Sequence, residues 1–210
     1  MPILKQSLSW TSSPLIVNAL MAGFAGGSLA SAVTMAGGLG MIGSVTDMDS
    51  LCNELRIAKD ALVSDPQHSH SKTLSVGVGF LPFVLQIGNI LPVLEEYQPA
   101  VVWLFATKEL DDYAEWASAT RKASPHSKIW IQVGSVAAAL HVAKTAKPDA
   151  LCLQGADAGG HGLAQGASII SLLPEASDRL AREGFQDMSL VASGGIADGR
   201  GVAAALALGA

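Results

Sequence analysis

Residues 151–162, LCLQGADAGGHG, carry an apolar run into Gln154 and then deliver one histidine, His161, through Gly155, Gly159 and Gly160. An imidazole there could take a proton or, once protonated, favour an anion. On spacing alone, a histidine in a glycine loop is more often a solvated or capping residue than a catalyst. A second glycine-rich segment, SGGIADGRG, sets the backbone amides of Ser193, Gly194 and Gly195 close to a helix start, with Asp198 as N-cap. That suits a phosphate. It also suits a tight strand-to-helix turn with no ligand. His68 and His70 stand two residues apart in a polar stretch with no further ligand in view, so no metal site is expected. His126 and His141 read as surface or helix residues, and Asp157 as an Asx turn within its own loop.

Seven short, nearly continuous apolar runs must position these residues: 15–20, 40–45, 74–80, 100–105, 128–133, 150–155 and 190–195. Such runs are the pattern of parallel strands covered on both faces. Helix patterns lie between them. Leu29, Ala32, Val33 and Ala36 keep helical spacing before the stop at Gly37-Gly38. Acids at 109–112 and bases at 121–122 bracket a second helix, with Tyr113, Trp116, Ala117 and Thr120 along one side. Repeated βα units with no composition break predict an α/β fold, a (β/α)8 TIM-type barrel in a single domain over 1–210. A doubly wound dinucleotide fold is disfavoured, because the glycines after the first run are not followed by the expected acid. Closure needs an eighth strand, and the seventh helix pattern ends the sequence at ALALGA, so the barrel is expected to be truncated before strand 8.

Half of the 210 residues are hydrophobic and 15% are charged, enough apolar material for a sizeable core. A net charge of −5 gives no basic footprint for nucleic acid or anionic membranes. No apolar run reaches membrane-spanning length, and Cys52 and Cys152 form no disulfide framework. A cytoplasmic protein acting on a small molecule is expected, with a homo-oligomer left open.

The segments SPLIVNALMAGFAGGSLASAVTMAGGLGMIGS, QGADAGGHG and VASGGIADGRGVAAALALGA, in this order, resemble the nitronate monooxygenase family, also called 2-nitropropane dioxygenases. The resemblance implies an FMN-containing barrel that oxidises alkyl nitronates with O2 to carbonyl compounds and nitrite. It places Met21, Ala22 and Gly23 against the isoalloxazine, Gln132 and Gln154 at its polar edge, and Gly159 and Gly160 beside it. It puts Ser193, Gly194 and Gly195 at the phosphate and His161 in the catalytic position. Glutamine can both donate and accept at a flavin edge, and glycines admit a planar ring. The sequence departs from the family pattern at Gly79, where many members have asparagine, and at Asp157, where glutamate is common. The strand-8 segment that completes the family's phosphate site would begin beyond Ala210. Two alternatives remain: an FMN-dependent NAD(P)H reductase of quinones or enoyl thioesters, which shares the glycine loops, and a truncated barrel without catalysis.

Overall fold

The computed structural model describes residues 7–43, 46–69, 71–160, 162 and 166–210. These form two compact units, Met1–Lys108 with Glu115–Ile129, and Glu109–Ala114 with Trp130–Ala210. Among the described residues six strands alternate with eight helices.

In the first unit β1 (Met41–Gly43), β2 (Leu74–Phe80) and β3 (Pro99–Leu104) pair in parallel, with Ile42 opposite Val78 and Val78 opposite Val102. Both faces of β3 are buried, which is why its sequence is apolar without alternation. Helix α1 (Gly27–Met35) precedes β1, and α2 (Met48–Leu62), α3 (Pro66–Ser69) and α4 (Ile87–Tyr97) connect these strands. Asp47 starts α2 by accepting from the Asp49 and Ser50 amides, and Leu51, Leu55, Ala58 and Leu62 form its buried stripe. Helix α5 (Asp112–Ala123) buries Tyr113, Trp116, Ala117 and Thr120, the side that the sequence marks as apolar.

In the second unit Trp130–Val133 of β4 (Lys128–Val133) pairs with β5 (Ala150–Gln154), and β5 pairs with β6 (Ser189–Ser193), again in parallel. Helices α6 (Val136–Thr145), α7 (Ile169–Arg182) and α8 (Gly199–Ala207) follow the three strands in turn. In α7, Ile169, Leu172, Leu173, Ala176 and Leu180 make the inward stripe, and Ser168 caps it by accepting from the Ile170 amide. Burial of Cys152 on β5 pushes its thiol well above the ordinary cysteine range, as an apolar neighbourhood must.

Two expectations are corrected here. The run at 15–20 is not a strand: it makes one isolated parallel bridge, Val17 to Leu39. The reason is Asn18, whose Oδ1 accepts from Met41 N (2.7 Å) and whose Nδ2 donates to Met41 O (2.9 Å). A side-chain amide thus replaces the main-chain ladder at this position. Helix α1 also turns a different face inward. Gly27, Ala30, Ser31 and Thr34 are buried, whereas Leu29 and Ala32 are exposed. Small residues are required because α2 lies close: a Cβ on Gly27 would stand 2.0 Å from the Glu54 carbonyl oxygen.

Glu54 has a further part in that contact. Gly26, the N-cap of α1, has no side chain to cap with, and Glu54 Oε2 accepts from the Gly27 amide at 2.6 Å instead. A carboxylate at a helix N-terminus satisfies an orphan amide and complements the dipole. Glu54→Ala is expected to cost about 1–2 kcal/mol in urea denaturation, and Glu54→Gln, which keeps an acceptor, clearly less. Equal losses for the two would refute the cap.

Candidate functional site

The carboxyl ends of parallel strands are where such folds place their chemistry. In the second unit Gln132 lies opposite Cys152, so Gln154, two residues further along β5, shares its face of the sheet. Both glutamines are buried, and Gln132 Nε2 donates to Gln154 Oε1. The Tyr113 hydroxyl donates to the Gln132 carbonyl at 3.4 Å. The two amides form a fixed polar pair at the ends of adjacent strands, and a buried pair of this kind can present donor and acceptor groups in a set orientation.

Beyond Gln154 the chain turns back on itself. Gly155 N donates to Ser193 O (2.9 Å), Ala158 N to Gly155 O (3.1 Å) and Ala156 N to Ala167 O (2.9 Å). Gly155 is required by packing and not by presentation of the imidazole, since a Cβ on it would meet Ile169 N at 2.6 Å. Gly194 and Gly195 have φ of +102° and +72°, and a Cβ on Gly194 would stand 3.0 Å from both Ala158 Cβ and Gly155 O. The turn therefore demands glycine with or without an anion. The Gly194 and Gly195 amides nevertheless have no acceptor among the described residues, so they are available to a ligand. Asp198 caps α8 by accepting from the Arg200 amide. Its side-chain pairing with Arg200 Nη2 at 2.6 Å holds its carboxyl below the usual range.

Gly159 and Gly160 differ from these packed glycines. Among the described residues a Cβ on either meets nothing within 4 Å, and Gly160, at φ +76°, holds a left-handed conformation that favours glycine on backbone grounds alone. His161, between Gly160 and Gly162, lies outside the described residues. Asp157 lies in the turn closed by Ala158 N to Gly155 O, and its side chain accepts from Ser168 Oγ at 2.8 Å. The sequence reading missed Ser168; its place before the Ile169, Leu172, Leu173 spacing is the signal that marks it as a cap, and nothing in the sequence marks its bond to Asp157.

In the first unit Met21, Ala22 and Gly23 follow the Val17 bridge and pass over the end of β1. A Cβ on Gly43 would meet Ala22 N and the Met21 carbonyl carbon at 2.7 Å. Met21 is exposed, and Gly23, at φ +80°, has open space around it. At Gly79 the place of a side chain is taken by Leu20, whose Cδ1 would lie 2.7 Å from a Cβ there.

The other histidines divide. His68 is buried rather than in a solvated loop, its ring edge-on to Trp10 at 5.9 Å. His70 lies outside the described residues. His126 is exposed, and His141 on α6 pairs with Asp111 at 2.6 Å. Among the described residues no group of three His, Cys, Asp or Glu could hold a metal, and no helix is long and apolar enough to cross a membrane.

Residues 102–210 match the family described as nitronate monooxygenase. The nitronate monooxygenase npaC of Metarhizium robertsii is 42% identical over 212 residues, covering 99% of this chain and 58% of that protein. A nitronate monooxygenase of Neurospora crassa is 36% identical over 229 residues, covering 96% of this chain and 59% of its own. An octahydroindene carboxyl-CoA dehydrogenase of Mycobacterium tuberculosis is 30% identical over 200 residues, 93% of this chain and 49% of that one. The structure of FabK from Thermotoga maritima superposes with a TM-score of 0.75 at 28% identity, covering 99% of this chain and 58% of that one. The α/β class expected from the sequence, with parallel strands of the TIM-barrel type, is the class of this chain. The chain spans under two thirds of the length of these curated relatives. By its match over half of its residues to the family's pattern, and by relatives of that name along nearly all of it, the chain belongs to the nitronate monooxygenase family.

Proposed function

We propose that the protein binds FMN and oxidises alkyl nitronates with O2 to carbonyl compounds and nitrite. The observation that carries this reading is the buried Gln132–Gln154 pair beside a turn with open glycines, in a chain 42% identical to a nitronate monooxygenase. The residues present fit a flavin mononucleotide. Gly159 and Gly160 leave room that no described residue fills, and the Gly194 and Gly195 amides have no acceptor among the described residues. In this reading Gln132 and Gln154 hold the polar edge of the ring, and Ser193, Gly194 and Gly195 hold the single phosphate. Met21, Ala22 and Gly23 are assigned to the ring on the resemblance. FMN, when bound, supplies the redox chemistry between nitronate and O2. His161 takes the proton from the α-carbon of a neutral nitroalkane or, as imidazolium, binds the nitronate anion. A single FMN-binding domain over residues 1–210 and a cytoplasmic location belong to the same proposal, the latter supported by the unpaired thiols of Cys52 and Cys152.

A second reading, an FMN-dependent NAD(P)H reductase of enoyl thioesters or quinones, is favoured by one observation, the 30% identity to a carboxyl-CoA dehydrogenase. One set of measurements separates the two. Denaturing the purified protein is expected to release FMN, and adding an alkyl nitronate is expected to consume O2 and form nitrite without NAD(P)H. Release of FAD, or of no flavin, overturns the cofactor assignment. NAD(P)H oxidation with no nitrite from any nitronate would replace the leading function by the second.

A further inference from the structure

We propose that two matching turns in the first unit, at residues 21–26 and 81–86, form an apolar rim that takes the hydrocarbon tail of the substrate, so that long, uncharged alkyl nitronates are oxidised best, a reading that rests on the proposed nitronate oxidation. The two turns are built alike. Phe24 N and Ala25 N both donate to Met21 O (3.0 and 2.7 Å), and Val84 N and Leu85 N both donate to Leu81 O (3.1 and 3.2 Å). Each turn runs directly into a helix, α1 at Gly27 and α4 at Ile87. In each, the residue before the N-cap is buried, Ala25 in one and Leu85 in the other, while the residue just before it, Phe24 or Val84, stands outward.

Phe24 is 83% exposed, and Met21 and Phe83 are exposed as well. A loose chain does not account for this display. Ala25 O accepts from Gly43 N (2.9 Å) at the end of β1, and Phe83 N donates to Ala106 O (2.9 Å) beyond the end of β3. Turns held in this way keep large apolar side chains in water, a state that an apolar ligand relieves by covering them. Both turns lie at the carboxyl ends of one parallel sheet. Gly43 pairs with Gly79 across β1 and β2, the first turn passes over Gly43, and Gly79 lies two residues before Leu81. That end of such a sheet is where small molecules bind, which favours a ligand over a protein as the occupant. No Asp, Glu, Lys or Arg stands between Lys5 and Asp47 or between Lys72 and Glu95, so an ionic group finds no counter-charge on either turn, whereas a hydrocarbon gains by burial there. Phe24 directly follows Met21, Ala22 and Gly23, the residues assigned to the flavin ring, so a substrate reacting at the ring has its tail within reach of this side chain.

The test measures kcat/KM with the preformed nitronates of nitroethane, 1-nitrobutane and 1-nitrohexane. The parent is expected to gain about 2-fold per added methylene, below the roughly 4-fold of a fully buried one. Phe24→Ala is expected to cut the ratio of 1-nitrohexane to nitroethane about 5-fold, and Phe83→Ala to cut it in the same direction. Val63→Ala, at another exposed apolar residue, the C-cap of α2, is expected to leave that ratio at the parent value. A ratio that is flat along the series in the parent, or unmoved by Phe24→Ala and Phe83→Ala, overturns the rim. An equal fall in Val63→Ala overturns it too. Should the parent oxidise no nitronate, the proposed function fails, and titration of the purified protein with neutral 1-nitrohexane and nitroethane still decides the rim. Shifts of the Phe24, Phe83 and Val84 amide resonances with 1-nitrohexane, weakened in Phe24→Ala, support it, and shifts no larger than those with nitroethane overturn it. A dimer in sedimentation that Phe24→Ala dissociates would give the surface to a second copy of the chain and overturn the tail site.

Discussion

His161→Asn is expected to lower kcat/KM for a neutral nitroalkane by roughly 10²–10⁴-fold while the flavin stays bound, the range lost with a general acid–base group. Asparagine keeps polarity and approximate size but cannot titrate. The proposed flavin contacts of Gln132, Gln154 and the Gly194–Gly195 turn are untouched, so flavin absorbance and content should match the parent. Measuring a neutral nitroalkane beside its preformed nitronate divides the roles. A loss confined to the neutral form assigns His161 as the base that removes the α-proton. A loss with both assigns it to binding the anion or to the oxidation. Unchanged rates with both substrates, flavin retained, would show that His161 is only a loop residue.

The second large effect concerns stability and separates two kinds of glycine. Gly40 donates its amide to Thr34 Oγ1 (3.1 Å) and accepts from the Gly77 amide (2.8 Å), so it is held from two sides. A Cβ there would stand 1.8 Å from the Ala30 carbonyl oxygen, a main-chain atom that no rotamer change can move. Gly40→Ala is expected to destabilise by about 3 kcal/mol, by forcing α1 away from β1. Gly88, in the first turn of α4, has nothing within 4 Å of its Cβ position. Gly88→Ala is expected to stabilise by about 0.5 kcal/mol, through the lost freedom of the unfolded chain. Chemical denaturation of both variants checks the pair, and a Gly40→Ala protein as stable as the parent would contradict the packing described.

What the sequence made legible was what repeats along the chain. Continuous apolar runs such as 74–80 and 128–133 announced buried parallel strands, and the charge-bracketed helix with Tyr113, Trp116, Ala117 and Thr120 buried the side its spacing marked. Asp198 read correctly as a cap, because capping depends on residues within one turn. Features that depend on distant partners were illegible. The run at 15–20 has the composition of a strand, and only the two bonds from Asn18 to Met41 show why it is not one. The apolar spacing of α1 pointed to the wrong face, because the closeness of α2 selects small residues and hydrophobicity does not reveal that. Glycine is ambiguous for the same reason. Gly155, Gly194 and Gly195 are demanded by packing among the described residues, whereas Gly159 and Gly160 are not, and the sequence spells both kinds alike.

The segment that crosses the end of β1 ties positions 20 and 79 into a single evolutionary choice. Leu20 occupies the volume into which any side chain at 79 would grow, so the glycine and the leucine are two halves of one solution. An asparagine at 79, the residue many members of the family carry, competes directly with Leu20 for that volume. Gly79→Asn alone must displace the leucine, whereas the same change made together with Leu20→Ala finds the space vacated. The atoms in the way are the tip of one side chain, so the two positions are coupled through the rotamer of Leu20 and not through the backbone.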